Sequence, residues 1–331
     1  MIKSSIEKIF HGFAQQKVLI IGDVMIDSYI FGHVDRISPE APVPVVAVQE
    51  RTHRLGGAAN VALNVKALGA QAILCSVIGQ DDKAQVFLDL IKKREMSPEA
   101  IVQSKDRITT TKFRIIGNAT QMLRVDEEMD TPLNVAEEKM LLEKVESVIQ
   151  NQKIDVIIFQ DYDKGVLSAS LIAKVVLLAG DIPTVVDPKK RNFHDFKNVS
   201  LFKPNLKELR EGINEDFQAY EKDKLQKAVE EMQTKLHCER FFTTLSEYGV
   251  LITEKNLDNK FVHHHIEAQK RNIADVSGAG DTVISCAALC LAQQLPAKDL
   301  AYISNMAGGL VCEEVGVVPV NKEKLFRELL K

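Results

Sequence analysis

The stretch DVSGAGDTVI, Asp275 to Ile284, sets two carboxylates and three small residues at the approach to an apolar run. Gly278, Ala279 and Gly280 let backbone N–H groups converge on one point, and a helix beginning near Asp281 adds the positive end of its dipole. Such a corner cradles an anion. Val283, Ile284, Ala287, Ala288 and Leu291 make that helix apolar on most sides, so its start is buried and rigidly placed. Donors fixed before a reaction need little reorganisation as charge develops. Asp281 would repel a bound anion, so a carboxylate there makes sense as a base. It would take the proton of an alcohol attacking phosphorus while the amides hold the phosphoryl group in flight. The alternative is a tight turn with Asp281 as helix N-cap. Neither the G-x-x-x-x-G-K-[ST] phosphate loop nor the full dinucleotide pattern is present, which disfavours a nicotinamide-dependent oxidoreductase.

Two further strings carry chemistry. KPNLKE places Asn205 at a strand end and Glu208 one helical turn on, oxygen ligands suited to Mg²⁺ with retained waters, or a reciprocal capping box. GGAANVALN starts another helix with Gly56 and Gly57, where a polyol could approach closely and Asn60 could bond its hydroxyls; close helix packing explains the same residues. Asp27 is a second hydroxyl acceptor.

The chain that must position these groups has 331 residues, 45% apolar and 27% charged, an ordinary globular composition. Its 42 basic and 46 acidic residues give a net charge of −4, with no global attraction to nucleic acid or an anionic membrane. Any bound anion needs a local cluster. Five cysteines, Cys75, Cys238, Cys286, Cys290 and Cys312, are odd in number and form no C-x-x-C pair, which points to a reducing cytoplasm. Ile6, Ile9, Phe10 and Phe13 repeat at helical spacing where a signal peptide would be continuous, and no apolar segment is long enough to span a bilayer. His263, His264 and His265 hint at a metal site, but strand alternation points the middle one away.

Apolar runs at Val18–Ile21, Ile73–Ile78, Val156–Phe159, Thr184–Val186, Leu201–Phe202 and Phe241–Thr243 alternate with helical patterns. That alternation predicts a mostly parallel sheet covered on both faces. Asp23, Asp161, Asp187, Asn205 and Thr244 stand at the ends of these runs, where an open α/β sheet has its ligand crevice; each could instead cap a helix. Two segments break the alternation. RISPEAPVPVVAVQE holds three prolines that exclude a helix, with Val45–Val48 suited to an edge strand. Arg107 to Glu128 has β-branched runs on either side of Gly117-Asn118, a hairpin signal. These pieces, about 28–55 and 107–127, form a small β-sheet lid beside the crevice in a single domain spanning 1–331. Lys112 and Arg114 share one hairpin face; a plain two-residue turn puts Arg124 on the other, and a bulge would change that. The charged stretch from Glu208 to Lys235 reads as an exposed helical region.

In this order the early GD, GGAANVA, N-x-x-E and late GAGD resemble the ribokinase-like (PfkB) carbohydrate kinases from about Lys17 to Val318. The resemblance implies a three-layer sandwich, a mostly parallel sheet between helices, with a small β lid over the sugar. It implies Asp281 as base, Gly278, Ala279 and Gly280 as anion hole, and Asn205 and Glu208 as organisers of Mg²⁺ and the ATP phosphates. Lys189, Thr244, Ser246, Gly249 and Asn305 fall on the nucleotide side, and Asp27, Gly56, Gly57, Asn60, Lys112, Arg114, Arg124 and Asp187 on the substrate side. A monovalent cation such as K⁺ near the loop and a homodimer through the lid are further implications.

GDVMIDSYIFGHVDRISPEAPVPVV, TTTKFRII, LRVDEE, DYDKGVL and VDPK are similar to the kinase part of the bacterial ADP-heptose synthesis enzymes, which implies phosphorylation of D-glycero-D-manno-heptose 7-phosphate at the anomeric oxygen, a step toward the lipopolysaccharide core. A phosphorylated substrate gives the lid a reason to be basic. Within the same family, ribose, fructose 6-phosphate or a nucleoside are alternative acceptors, and a non-catalytic sugar or nucleotide sensor is the alternative outside enzymes. Ser277 stands where the pattern has Thr, and Leu245 replaces an Arg in TTLSEYGV. The H-x-G-H of a nucleotidyltransferase is absent, so adenylylation is expected from a separate protein.

Overall fold

Short β-branched runs without helical spacing have one way to bury both faces, as inner strands of a parallel sheet. The computed structural model describes residues 3–331, and in it these runs do so. The first part of the chain forms α1 (Lys3–Phe13), β1 (Lys17–Gly22), β2 (Val24–Ile37), β3 (Pro44–Gly57), α2 (Ala58–Ala67), β4 (Gln71–Gly79), α3 (Asp82–Lys93) and β5 (Ile101–Ser104). Then come β6 (Thr111–Gly117), β7 (Thr120–Glu127), α4 (Val135–Asn151), β8 (Val156–Gln160), α5 (Ala169–Ala179), β9 (Thr184–Asp187), β10 (Leu201–Phe202), α6 (Leu206–Ile213) and α7 (Lys222–Leu236). The last part forms β11 (Arg240–Thr244), β12 (Val250–Lys255), β13 (Phe261–Ile266), α8 (Ala279–Ala292), α9 (Ala297–Val311) and α10 (Lys322–Leu329).

The main sheet has nine strands in the order β13-β12-β11-β10-β9-β8-β1-β4-β5. Pairing is parallel from β11 to β5, and β12 and β13 finish the other edge antiparallel. Alternate residues of each inner strand serve two cores. Val18 and Ile20 pack with Phe13, Val61, Ile284, Leu300 and Leu325 on one face. Leu19 and Ile21 pack with Leu141, Leu171, Leu209 and Val229 on the other. All six runs expected to be strands are strands, as is the His263–His265 run in β13; β5 and β12 were not foreseen. The helical spacing at the N-terminus is α1, whose Phe10 ring meets Phe326 of α10 edge-on at 5.4 Å. Among the described residues no helix is long and apolar enough to cross a membrane, and all five cysteines are buried thiols.

The two extended segments form a separate four-stranded sheet, β3-β2-β6-β7. Pro44 opens β3, the edge strand, where a missing N–H removes no needed ladder bond. The hairpin turn is Asn118-Ala119, both at positive φ (51° and 61°), one residue beyond the expected pair. A bulge between Ile115 and Ile116 sets Arg114 directly opposite Arg124. Arg124 therefore shares the face of Lys112 and Arg114, because the extra residue on β7 shifts the pleat by one.

One other expectation needs correction, and the histidine run lies on a strand as its alternation implied. The Glu208–Lys235 region is amphipathic rather than simply exposed: Glu208 is buried, and α7 buries Leu225, Val229 and Met232. The His263–His265 run lies on β13, where His263 bonds Thr253 and Glu230 at 2.8 and 2.9 Å and His265 bonds the Tyr248 carbonyl. No group of three His, Cys, Asp or Glu is placed to hold a metal among the described residues.

Gly57 joins the sheets to the helices. It has φ 61° and ψ −138° as the cap of α2, and a Cβ there would lie 2.4 Å from the Asp23 carbonyl oxygen. Close packing, the second reading of GGAANVALN, thus applies to Gly57. Gly57→Ala should lower stability by more than ~1 kcal/mol, since left-handed strain and a backbone clash act together. Chemical denaturation of the two proteins checks this.

Candidate active site

The helix of the GAGD string starts at Ala279, and its N-cap is Gly278 at φ 81° with no capping side chain. Asp281 is therefore a first-turn residue rather than the cap. Added at Gly278, a Cβ would meet the Asn60 amide at 3.2 Å and Val317 at 3.3 Å. The Ala279 amide turns back to the Val276 carbonyl at 3.3 Å, so the first-turn N–H groups left to face outward are those of Gly280 and Asp281. Gly280 opens toward a buried ion pair: a Cβ on it would sit 3.8 Å from Asp187 Oδ2 and 3.9 Å from Lys203 Nζ. Every residue of α8 from Asp281 to Leu291 is buried, which fixes this corner in place.

Asp281 is 5% exposed and has donors on both oxygens. Asn60 Nδ2 donates to Oδ2 at 2.7 Å, the Tyr162 hydroxyl to Oδ1 at 2.7 Å, and Gln160 Nε2 lies 3.4 Å from Oδ1. Burial pushes its carboxyl up to about 6 although these donors pull the other way; the Asp187 charge adds to the rise and Lys203 opposes it. A carboxyl so placed can exchange a proton near neutral pH.

Asp187 ends β9, and Lys203 Nζ holds its Oδ2 at 3.0 Å with both side chains buried. Burial works against the Asp187 charge, but Lys203 and then Lys189 outweigh it and keep its carboxyl below the usual range. Asp187 Oδ1 is buried without a hydrogen bond, 3.7 Å from Lys189. Lys189 also pairs closely with Glu208. Burial acts against the ammonium, and Asp187 and Glu208 nevertheless hold it above the usual lysine range.

Asn205 and Glu208 form the capping box of α6. Asn205 Oδ1 accepts from the Glu208 N–H at 2.8 Å, and Glu208 Oε2 from the Asn205 N–H at 2.9 Å. With Glu208 Oε1 on Lys189, these oxygens are already engaged. They suit a hydrated divalent ion reached through water rather than direct ligation, and Asp187 Oδ1 is the unused acceptor beside them. Thr244 lies next to Asn205 through a parallel bridge. Ser246 and Gly249 form a tight turn with φ 53° and 85°, and a Cβ on Gly249 would strike the Ile266 carbonyl oxygen at 2.0 Å. Asn305 on α9 donates to the Glu267 carbonyl at 3.0 Å, one residue past β13.

On the small sheet, Asp27 is buried beside Gly56, where a Cβ would come 2.6 Å from its Oδ2, and it pairs with Arg114. Tyr29 carries the guanidinium groups of Arg54 and Arg114 over its ring at 5.1 and 5.3 Å. Lys112 contacts Asp126 and Glu128 at 2.9 Å each, and Arg124 contacts Asp126 at 2.8 Å. The three cations expected to balance a substrate phosphate thus already carry carboxylate partners.

Two strand-end carboxylates do not face the crevice. Asp23 accepts the N–H groups of Tyr162, Lys164 and Val166, and Asp161 those of Asp163 and Lys189 and the Asn192 amide. Buried loops leave amides that need acceptors, and these two carboxylates supply them. Burial and then the neighbouring Asp23 charge push Asp161 up to about 6. Conversely, Gln160, Tyr162 and Lys203 belong to the corner and were missed. Each lies within three residues of an apolar run's end, the one signal that could have flagged it. A cavity of about 430 Å³ lined by Lys66, Gln71, Glu95 and Gln152 lies at the amino ends of the strands, away from all of these groups.

Residues 15–324 match the pfkB family carbohydrate kinase. The chain is 37% identical over 333 residues to a protein of Methylobacillus flagellatus named Bifunctional protein HldE, with 99% of this chain and 67% of that one covered. A protein of the same name from Helicobacter pylori is 36% identical over 312 residues, covering 94% and 65%. The chain spans about two thirds of the length of these relatives. Escherichia coli phosphofructokinase-2 in complex with potassium superposes with a TM-score of 0.76 at 17% identity over 96% of this chain and 99% of that one. Arabidopsis thaliana ribokinase complexed with ribose and ATP gives 0.68 at 14%, over 96% and 98%. At such identities the likeness establishes the fold, which is the ribokinase-like sandwich expected from the sequence.

Lys203→Met would leave Asp187 charged and buried without its closest partner, which costs about 3–5 kcal/mol. Adding Asp187→Asn removes the stranded charge. The double variant should recover most of the lost stability in thermal melts while remaining inactive.

Proposed function

The chain belongs to the pfkB family of carbohydrate kinases, and on that premise we propose that it transfers the γ-phosphoryl group of ATP to the anomeric hydroxyl of D-glycero-D-manno-heptose 7-phosphate in the cytoplasm. An ATP-dependent sugar kinase is the class that its relatives support. The acceptor rests on the strings shared with ADP-heptose enzymes and is supported by the identity to the two bifunctional HldE proteins. The observation that carries the chemistry is one corner: a buried carboxylate, Asp281, beside free first-turn amides and the Lys203 ammonium.

Asp281 takes the proton of the acceptor hydroxyl as that oxygen attacks. The Gly278–Gly280 turn supplies the anion hole, with the Gly280 and Asp281 N–H groups and Lys203 facing the transferred group, where fixed positive charge lowers the barrier. Asp27 and Asn60 fix the sugar hydroxyls, and Gly56 and Gly57 allow its close approach. Lys112, Arg114 or Arg124 meet the sugar phosphate by exchanging a carboxylate partner for it. Asp187 and Lys189 border the reacting phosphates, with Asn205, Glu208, Thr244, Ser246, Gly249 and Asn305 on the nucleotide side. Mg²⁺, when bound, neutralises charge on the ATP phosphates, and Asp187 Oδ1 and Glu208 would hold it through water. A monovalent cation beside the loop belongs to the same reading. The small sheet acts as a lid that keeps water from the phosphoryl group.

A homodimer through that lid is supported by the exposed Ile37, Leu123 and Val125 and by free strand edges. Adenylylation is proposed to fall to a separate nucleotidyltransferase of the same pathway, although the relatives are named bifunctional.

A coupled ADP-release assay tests the reading. Heptose 7-phosphate should be turned over far faster than ribose, fructose 6-phosphate or a nucleoside; preference for one of those would reassign the acceptor, and tight binding without ADP would mark a sensor. Asp281→Asn should lower kcat by roughly 10²–10⁴-fold with little change in ATP affinity. Because the base must be ionised and burial lifts it to about 6, wild-type turnover should fall as pH drops through that value.

A further inference from the structure

Tyr162 joins the proposed base to the phosphate-side lysine. Its hydroxyl donates to Asp281 Oδ1 at 2.7 Å, and Lys189 Nζ lies 5.7 Å from its ring centre. The placement is not incidental to packing. The Tyr162 N–H is held by Asp23 Oδ2 at 2.8 Å, and the same carboxylate holds the amides of Lys164 and Val166, so the turn carrying the phenol is tied to β1 and β2. A buried acid that binds three loop amides has a use if what the loop presents must not move.

We propose that Tyr162 is a positioning residue for the phosphoryl transfer, its phenol fixing the Asp281 carboxylate in one rotamer and holding it ionised. The inference rests on Asp281 being the base. The two short bonds divide the work. Asn60 takes Oδ2 and Tyr162 takes Oδ1, which also has the longer Gln160 contact at 3.4 Å, so the carboxylate plane is set while Oδ2 keeps a lone pair for an acceptor hydroxyl. The charged neighbours pull in opposite directions. Asp187 from β9 disfavours the Asp281 charge and Lys203 favours it. Burial first, then the Asp281 and Asp187 charges and, more weakly, Asp27 on β2, hold the Tyr162 phenol well above its usual range, so it stays protonated and remains a donor. Without the phenol, burial and Asp187 would act on Asp281 against Asn60, Lys203 and the longer Gln160 contact.

Tyr162→Phe keeps the ring and removes one hydrogen bond to a charged group. The acid limb of kcat against pH should then move upward by about one pH unit. In addition, kcat on the plateau should fall several-fold and the KM for ATP should change little. Replacing Tyr162 with 3-fluorotyrosine gives a more acidic, stronger donor with the same packing, and the limb should move downward. Titration of the substrate phosphates is common to all three proteins, so it drops out of the comparison. A limb that stays in place in both variants overturns the proposal, since a residue that only packs would leave it unmoved. Asp281→Asn distinguishes the two levels: if it abolishes turnover while the Tyr162 variants keep the wild-type limb, only the role of Tyr162 falls; if it retains turnover, the assignment of the base falls and the inference with it.

Discussion

On the proposed mechanism, Asp281 has to be able to carry a negative charge in a place from which water is nearly excluded. An isolated carboxylate in such surroundings would stay protonated, because desolvation penalises only the ionised form. Here the balance lies near neutrality, with the group lifted to about 6 by burial and restrained by Asn60, Tyr162 and Lys203. Those three come from α2, the loop after β8 and the segment after β10, so the balance exists only when distant parts of the chain are assembled. Much of the architecture around the corner can be read as the means of bringing two short hydrogen bonds and one nearby positive charge to one carboxylate.

The parallel sheet does this by ending its central strands side by side. β1, β8 and β9 are neighbours, and β10 follows, so Asp23, Gln160, Asp187 and Lys203 emerge along one edge. Their duties then separate. Asp23 and Asp161 face loop amides and make the frame rigid, whereas Gln160, Asp187 and Lys203 face the start of α8. The frame also sets the small sheet: β2 leaves the main sheet immediately after Asp23, and Gly57 returns β3 to α2 against the Asp23 carbonyl. A strand that begins beside the frame and runs outward carries Asp27 on its buried part. Charge on this sheet is nearly balanced internally, so a bound phosphate would compete with Asp126, Glu128 and Asp27 for the same cations. Such competition favours a dianion over a neutral sugar.

What could be read from the sequence follows the range of the interactions involved. The apolar runs of the inner strands are local signals, and the layers followed from them. The glycines of GAGD and the acid after them are adjacent in sequence, so the glycine turn opening a buried helix was legible, as was the Asn205-Glu208 box, though its capping duty and not metal ligation is what the side chains display. Tyr162 and Lys203 were not legible, because nothing local distinguishes a tyrosine or lysine just past a strand from a solvated one; the pairing of β8, β9 and β10 decides it. Asp23 and Asp161 misled for the matching reason, since a carboxylate at a strand end serves the crevice or the loop according to where the next few amides turn. Arg124 depended on a bulge that the Gly117-Asn118 signal does not encode.

The most direct test is a crystal structure with a non-hydrolysable ATP analogue and heptose 7-phosphate bound together. The acceptor oxygen should lie about 3 Å from the Asp281 carboxylate, with the terminal phosphorus in line behind it and facing the Gly280 and Asp281 amides. A terminal phosphate directed away from the start of α8, or an acceptor hydroxyl bonded to some other base, would contradict the account.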